Sequence, residues 1–211
     1  MVEIQKSRSN IGWAVGTDNN VVGGLPSLIL DATAGNRTMY ETKNVKSIVY
    51  IDIQKRLYRK PTIFADCTRT PFRDKTFHTI FFDPPHDWGK TAGDYYTIPD
   101  LTPKEMSMMR MKGNTYYGHE IYQSRMELIA FIYKAQKEFL RILKDDGLLW
   151  LKWNDYRIPL NNILAIFKNW RILLILRIND PTQTLGTHQT YWVCMCKKEG
   201  YQTELGAYMR G

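Results

Sequence analysis

The chain has 211 residues, 44% apolar and 24% charged, with a formal net charge of +8 and a pI near 9.3. That length suits one domain with a full core, and the basic balance favours a polyanionic partner such as nucleic acid. No apolar stretch reaches bilayer-spanning length and the first residues form no signal region, so a cytoplasmic protein without a membrane partner is expected.

Residues 1–26 read as an N-terminal extension closing on the Gly- and Pro-punctuated stretch 21–26. Short apolar runs of β-branched or aromatic bias then predict strands at 28–31, 47–52, 62–65, 79–82, 148–153, 172–177 and 190–196. The link 32–46 has room for a short helix, and 53–61 for barely one turn. A broad apolar face (Met126, Ile129, Ile132, Ala135, Phe139, Leu143) predicts a long helix over 123–144, stopped by Asp145-Asp146-Gly147. Pro159 opens a second helix over 160–169. Seven strands with interleaved helices predict a doubly wound α/β sheet.

Residues 87–122 break this rhythm. They carry Trp88, Tyr95, Tyr96, Arg110 and Tyr117 among other aromatics, methionines and balanced charges. A segment this long between elements reads as an inserted lid whose aromatic and Arg side chains stack on bases. Simple packing of those aromatics onto the domain is the alternative. The cluster Lys55, Arg56, Arg59 and Lys60 is either a solvated face or a phosphate contact. Cys67, Cys194 and Cys196 lack metal-ligand spacing and read as reduced core residues, so no metal is expected.

Four successive strands each end at an acid. Asp31 leads into the small-residue turn Ala32-Thr33-Ala34-Gly35, where a ligand can approach the backbone and Asp31 can meet an ammonium. Asp52, followed by Ile53, suits a ribose diol. Asp66 and the amide of Cys67 can read an adenine edge. Asp83 precedes Pro84-Pro85-His86, and the prolines bar continuation as strand or helix. The Asp83 carboxylate and the Pro84 carbonyl are then two acceptors for one substrate –NH2 group.

At these residues the chain resembles the class I S-adenosylmethionine-dependent methyltransferases. Asp31 with Gly35, Asp52, and Asp66 match that family's cofactor loop, ribose acid and adenine acid. Residues 83–86 match the Asp/Asn-Pro-Pro-aromatic signature of enzymes that methylate amino groups of adenine or cytosine, with His86 in the aromatic place. The chain is similar in particular to small phage and prophage methyltransferases often labelled DNA methylases. Their pattern corresponds here to Gly35-Asn36-Arg37-Thr38-Met39, residues 83–86, and Lys152-Trp153-Asn154, within residues 28–198. Asn36-Arg37 depart from the second glycine often found in the cofactor loop.

The resemblance implies a Rossmann-like seven-stranded sheet with a lid inserted after strand 4, and S-adenosylmethionine held by Asp31, Ala32, Thr33, Gly35, Asp52, Ile53, Asp66, Cys67 and Asp83. It implies amino-group methylation of a nucleobase, adenine N6 or cytosine N4, in DNA ahead of RNA. Asp83, Pro84, His86 and Lys152 are the expected catalytic residues. Pro85, Trp88, Trp153 and Asn154, with Tyr95, Tyr96, Arg110 and Tyr117 of the lid, are the expected substrate contacts. A target in duplex DNA would have to be flipped out of its stack. Two alternatives stand beside this: RNA methylation, including the ribose 2′-oxygen with Lys152 as base, and a protein that binds cofactor or nucleic acid without turnover.

Overall fold

The computed structural model describes residues 28–55, 57–88, 122–178 and 189–199. The seven apolar runs become one sheet: β1 (Ile29–Asp31), β2 (Ile48–Asp52), β3 (Ile63–Phe64), β4 (Phe77–Phe82), β5 (Leu143–Asn154), β6 (Trp170–Ile178) and β7 (Thr190–Lys197). Their order is β3-β2-β1-β4-β5-β7-β6. Strands β1 to β5 pair in parallel, and β7 runs antiparallel to both its neighbours. This is a Rossmann-like mixed sheet, consistent with the class I methyltransferase fold. The C-terminal ends of β1 to β5 therefore share one rim, where ligands bind in open α/β sheets.

The helices described are α1 (Arg125–Ile142), between β4 and β5, and α2 (Leu160–Leu164), between β5 and β6. Helix α1 starts where Ser124 accepts the Glu127 amide and the Glu127 carboxylate accepts the Gln123 amide. Its Leu128, Ile132, Ala135 and Phe139 bury against Leu30, Ile51, Ile80, Phe82 and Leu149 of the sheet. Leu160 and Ile163 of α2 join the same cluster. A smaller cluster on the other face holds Ala34, Ile48 and Tyr50, flanked by Ile29, Tyr40 and Val45.

Three local expectations change. Among the described residues, the link between β1 and β2 contains turns and no helix. Gly35 (φ 49°) and Arg37 (φ 59°) both occupy the left-handed region, which a right-handed helix cannot pass through. Asp145-Asp146-Gly147 is not a loop after the helix, because β5 already begins at Leu143. Register against β4 jumps from Phe77↔Leu143 to Thr79↔Leu148, so these residues form a bulge within the strand. A Cβ on Gly147 would stand 2.6 Å from Leu143 Cγ and 3.0 Å from the His78 carbonyl oxygen, which reserves the position for glycine. Finally, α2 is shorter than 160–169, and successive three-residue turns from Ile163 to Trp170 complete the link to β6.

Residues 89–121 of the expected lid and the extension 1–26 lie outside the described residues. Tyr122, at the lid's end, is a buried core residue whose ring lies 5.0 Å from that of Phe131.

Candidate active site

Asp31 ends β1 and Asp52 ends β2, Asp83 follows β4 directly, and Asp66 stands two residues past β3. Asp31 lies within the fields of both Asp83 and Asp52, and Cys67 within those of Asp66 and Asp52. The four acids thus gather on one stretch of the rim.

Asp31 is 0% exposed. One carboxylate oxygen accepts the Thr33 amide at 3.2 Å, while Oδ2 is buried without a hydrogen bond. Burial pushes its pKa up to about 7; the Thr33 amide and the nearby Tyr40 hydroxyl oppose this, and the charges of Asp83 and Asp52 add to it. The Tyr40 hydroxyl is close enough to favour the ionised form of Asp31 but lacks hydrogen-bond geometry. Burial, then the Asp31 charge, drives the Tyr40 phenol upward.

Asp52 accepts the Gly35 amide on Oδ2 and the Gln54 amide on Oδ1, both at 2.8 Å, which couples the first turn to the end of β2. A Cβ on Gly35 would meet nothing within 4 Å, so backbone conformation rather than crowding calls for glycine here. Ala32 is buried, and its amide donates to the Phe81 carbonyl at 2.9 Å. Ile53 is exposed at the rim, as is Asp66, which accepts the Thr68 amide at 2.8 Å. The Cys67 thiol is buried in the main core and burial pushes its pKa up, so only the backbone of Cys67 can serve a ligand.

The Asp83 amide donates to Thr33 Oγ1 at 2.8 Å, which ties the Asp-Pro-Pro turn to the turn after β1. Its Oδ2 accepts Lys152 Nζ at 2.7 Å, from the C-terminal end of β5. Both side chains are half-buried, where a charge-assisted bond is stronger than one in water. Pro84 is buried, while Pro85 and His86 are partly exposed. The imidazole of His86 stands edge-on to Trp153, with ring centres 6.3 Å apart.

The structure gives protein partners to several of the expected substrate contacts. Trp153 is 1% exposed, and its indole N–H donates to the Ile158 carbonyl at 2.9 Å. It is a core residue that backs His86 and has no surface to offer a base. Asn154 is committed at both ends of its amide: Nδ2 donates to Thr190 Oγ1 at 2.9 Å, and Oδ1 accepts the Tyr156 amide at 3.0 Å. Trp88 is half-buried and packed against the main core, with the Arg157 guanidinium 4.9 Å above its ring. Tyr95, Tyr96, Arg110 and Tyr117 lie outside the described residues.

Two residues matter more than the sequence suggested. Arg157 forms an ion pair with buried Asp87 and donates to the Trp88 carbonyl at 3.1 Å. Together with Lys152–Asp83, this clamps the segment after β4 to the segment after β5. The only sequence signal was an acid just past the Pro-Pro pair and an Arg just past Lys-Trp-Asn. Arg37 is buried, stacked 3.9 Å over Tyr50, and bonded to the Lys43 and Lys60 carbonyls and the Asn44 side chain. Asn36 accepts the Arg59 amide at 3.1 Å. The Asn36-Arg37 departure therefore stitches the first turn to the link after β2. In the basic cluster, Lys60 Nζ bonds the Lys55 carbonyl and Arg59 lies over Tyr58, while Arg56 lies outside the described residues.

No family model and no curated protein matches the chain. Among solved structures it is similar to a TehB-like S-adenosylmethionine-dependent methyltransferase from Corynebacterium glutamicum, at 12% identity and a TM-score of 0.49 over 83% of each chain. It is also similar to the PH0226 protein of Pyrococcus horikoshii, at 15% identity and 0.48 over 82% of this chain and 83% of that one. An rRNA methylase from Streptococcus thermophilus gives 12% identity and 0.36 over 82% and 87%.

Proposed function

We propose that this protein is a S-adenosylmethionine-dependent methyltransferase acting on an exocyclic amino group of a nucleobase, adenine N6 or cytosine N4, with DNA the favoured substrate. The observation that carries the reading is the placement of Asp83. It follows β4, is tethered to Thr33 in the turn after β1, lies in the same field as Asp31 and Asp52, and is followed by two prolines.

The residues at the rim fit the cofactor. Asp31 Oδ2 is a buried acceptor without a hydrogen bond, suited to a cationic group. Gly35 leaves open space for close backbone approach. A carboxylate has about four lone-pair positions, so Asp52 can take a ribose diol while keeping its two amides. Exposed Ile53, with Asp66 and the Cys67 amide, would take the adenine. When bound, the cofactor supplies a methyl group on a sulfonium, so no covalent enzyme intermediate is required.

What remains for the chain is to position a poor nucleophile. The Asp83 carboxylate and the Pro84 carbonyl accept the two amine hydrogens, favour tetrahedral nitrogen, and aim its lone pair. Asp83 also stabilises the positive charge that develops on that nitrogen. Lys152, through its ion pair, fixes the direction of the carboxylate. His86 lies one residue beyond the Pro-Pro pair, where an imidazole can stack on the base.

The Lys152–Asp83 contact also favours a second reading, transfer to an RNA ribose 2′-oxygen with Lys152 as base. The Pro84-Pro85 pair directly after Asp83 favours the amino reading. Asp83→Ala should cut methyl incorporation into DNA by at least about 100-fold while the folded variant still binds S-adenosylmethionine through the residues around Asp31, Asp52 and Asp66, measured by calorimetry, with a loss of affinity far smaller than the loss of turnover. Normal turnover in that variant would sink the assignment. Lys152→Met should lower base methylation without abolishing it; complete loss, with 2′-O-methylated nucleosides as the wild-type product, would establish the ribose reading instead.

A further inference from the structure

The link from β2 to β3 leaves the rim at Asp52 and contains no helix among its described residues. Its sequence holds four cations, Lys55, Arg56, Arg59 and Lys60, and no acid. The backbone beneath them is fastened to the turn after β1. The buried Arg37 guanidinium donates to the Lys60 carbonyl at 2.6 Å, and the Arg59 amide donates to the Asn36 side chain at 3.1 Å. Pro61 is buried, and the Thr62 amide donates to the Tyr50 carbonyl at 2.8 Å. On this fixed backbone Lys55 and Lys60 are exposed, and Tyr58 is 53% exposed. The cationic groups meet a carbonyl and a ring, not carboxylates. Lys60 Nζ bonds the Lys55 carbonyl at 2.7 Å, and the Arg59 guanidinium lies 5.6 Å from the centre of the Tyr58 ring. The turn that fastens the link also touches the proposed chemistry, because Thr33 Oγ1 accepts the Asp83 amide three residues before Asn36. Three residues span at most roughly 11 Å, so the link borders the site.

The geometry points to Lys55, Tyr58, Arg59 and Lys60 as a docking surface for a single-stranded stretch of nucleic acid, the stretch that flanks the nucleotide presented to Asp83. This deepens the reading proposed above and rests on its nucleic-acid substrate. Phosphates are held by cations that carboxylates have not already neutralised, and the link supplies three of them on one fixed loop. A base that has left its stack takes an aromatic face, and Tyr58 offers one with a guanidinium beside it. Duplex DNA fits less well, because its bases cover one another and leave Tyr58 nothing to stack on. An extruded target leaves neighbours in its own strand that must also be held. The link is placed to hold them, and it grips backbone and ring faces without reading sequence.

Fluorescence anisotropy of the full chain with a labelled single-stranded DNA of about 20 nucleotides, between about 50 and 200 mM salt, tests this. Combining Lys55→Gln, Arg59→Gln and Lys60→Gln should flatten the plot of log affinity against log salt by about 2, from three contacts at about 0.7 each. Combining Lys46→Gln, Lys134→Gln and Lys168→Gln removes the same charge from exposed positions off the link, and the slope should stay as in the wild type. Tyr58→Ala should weaken binding at least about fivefold with the slope unchanged. Circular dichroism and thermal melting identify the folded variants, and Tyr58→Ala leaves every cation of the link in place. An unchanged slope in the first triple variant, an equal flattening in the second, or wild-type affinity in Tyr58→Ala overturns the inference. Binding is read without turnover. A protein that shows these shifts but transfers no methyl group would refute the proposed chemistry and leave the surface standing. One that methylates DNA with the slope unmoved refutes the surface alone.

Discussion

Asp31→Asn should make the ligand-free protein more stable at pH 8 and slightly less stable near pH 4. The wild-type carboxyl is fully buried, and burial moves its pKa from 3.8 to about 7. Because the folded value exceeds the unfolded one, the folded state binds the proton more tightly. The resulting contribution is fully present below pH 3.8, falls as pH rises toward 7, and is gone above it. Over that interval, at about 1.4 kcal/mol per pH unit, the swing is about 4 kcal/mol at most. Asparagine is neutral throughout, so it abolishes this slope. It keeps an oxygen for the Thr33 amide and turns an NH2 toward the Tyr40 hydroxyl, at a cost of about 1–2 kcal/mol for imperfect bonding. The net expectation is a gain of about 2 kcal/mol at pH 8, or about 4–8 °C in Tm for a chain of this size, and a small loss near pH 4. Urea denaturation of both proteins from pH 4 to pH 8 measures the difference. Parallel stability curves across that range would refute the burial argument. If Asp31 meets the cofactor's cationic group, wild-type affinity should also rise as pH passes 7, and the variant should bind weakly at every pH.

Arg157→Ala removes the ion-pair partner of the buried Asp87 carboxylate, which keeps the Trp88 amide, so it should cost about 3 kcal/mol in chemical denaturation. Adding Asp87→Asn to it should recover a large part of that loss, which a double-mutant cycle would read out. Gly35→Ala places an alanine at φ 49°, with nothing for its Cβ to strike. Stability should fall by only about 1–2 kcal/mol. Cofactor affinity should fall much more, because the new methyl group occupies the ligand's approach; calorimetry on the folded variant separates the two effects.

The strands that carry the acids were legible because their apolar runs are short and each stops at a carboxylate. The parallel rim followed from topology, and with it the meeting of Asp31, Asp52 and Asp83. Strand ends shifted by a residue or more wherever pairing, rather than composition, decides where a ladder stops. The bulge at Asp145-Asp146-Gly147 was hidden because the signal that ends a helix is also the signal of a kinked strand. Trp153 shows another limit: an aromatic between Lys152 and Asn154 reads alike whether it faces a ligand or packs into the core behind His86. Arg157 and Arg37 were missed for a related reason. Their partners lie 70 and 23 residues away in Asp87 and Lys60 respectively, and no local pattern encodes such contacts.

The most direct test of the account is to incubate the protein with radiolabelled S-adenosylmethionine and either double-stranded DNA or total RNA, then digest the products and resolve the nucleosides by mass spectrometry. The account predicts label in N6-methyladenine or N4-methylcytosine from DNA, absent with Asp83→Ala. Label confined to 2′-O-methylated ribose, or no transfer to either polymer by a protein that binds the cofactor, would contradict it.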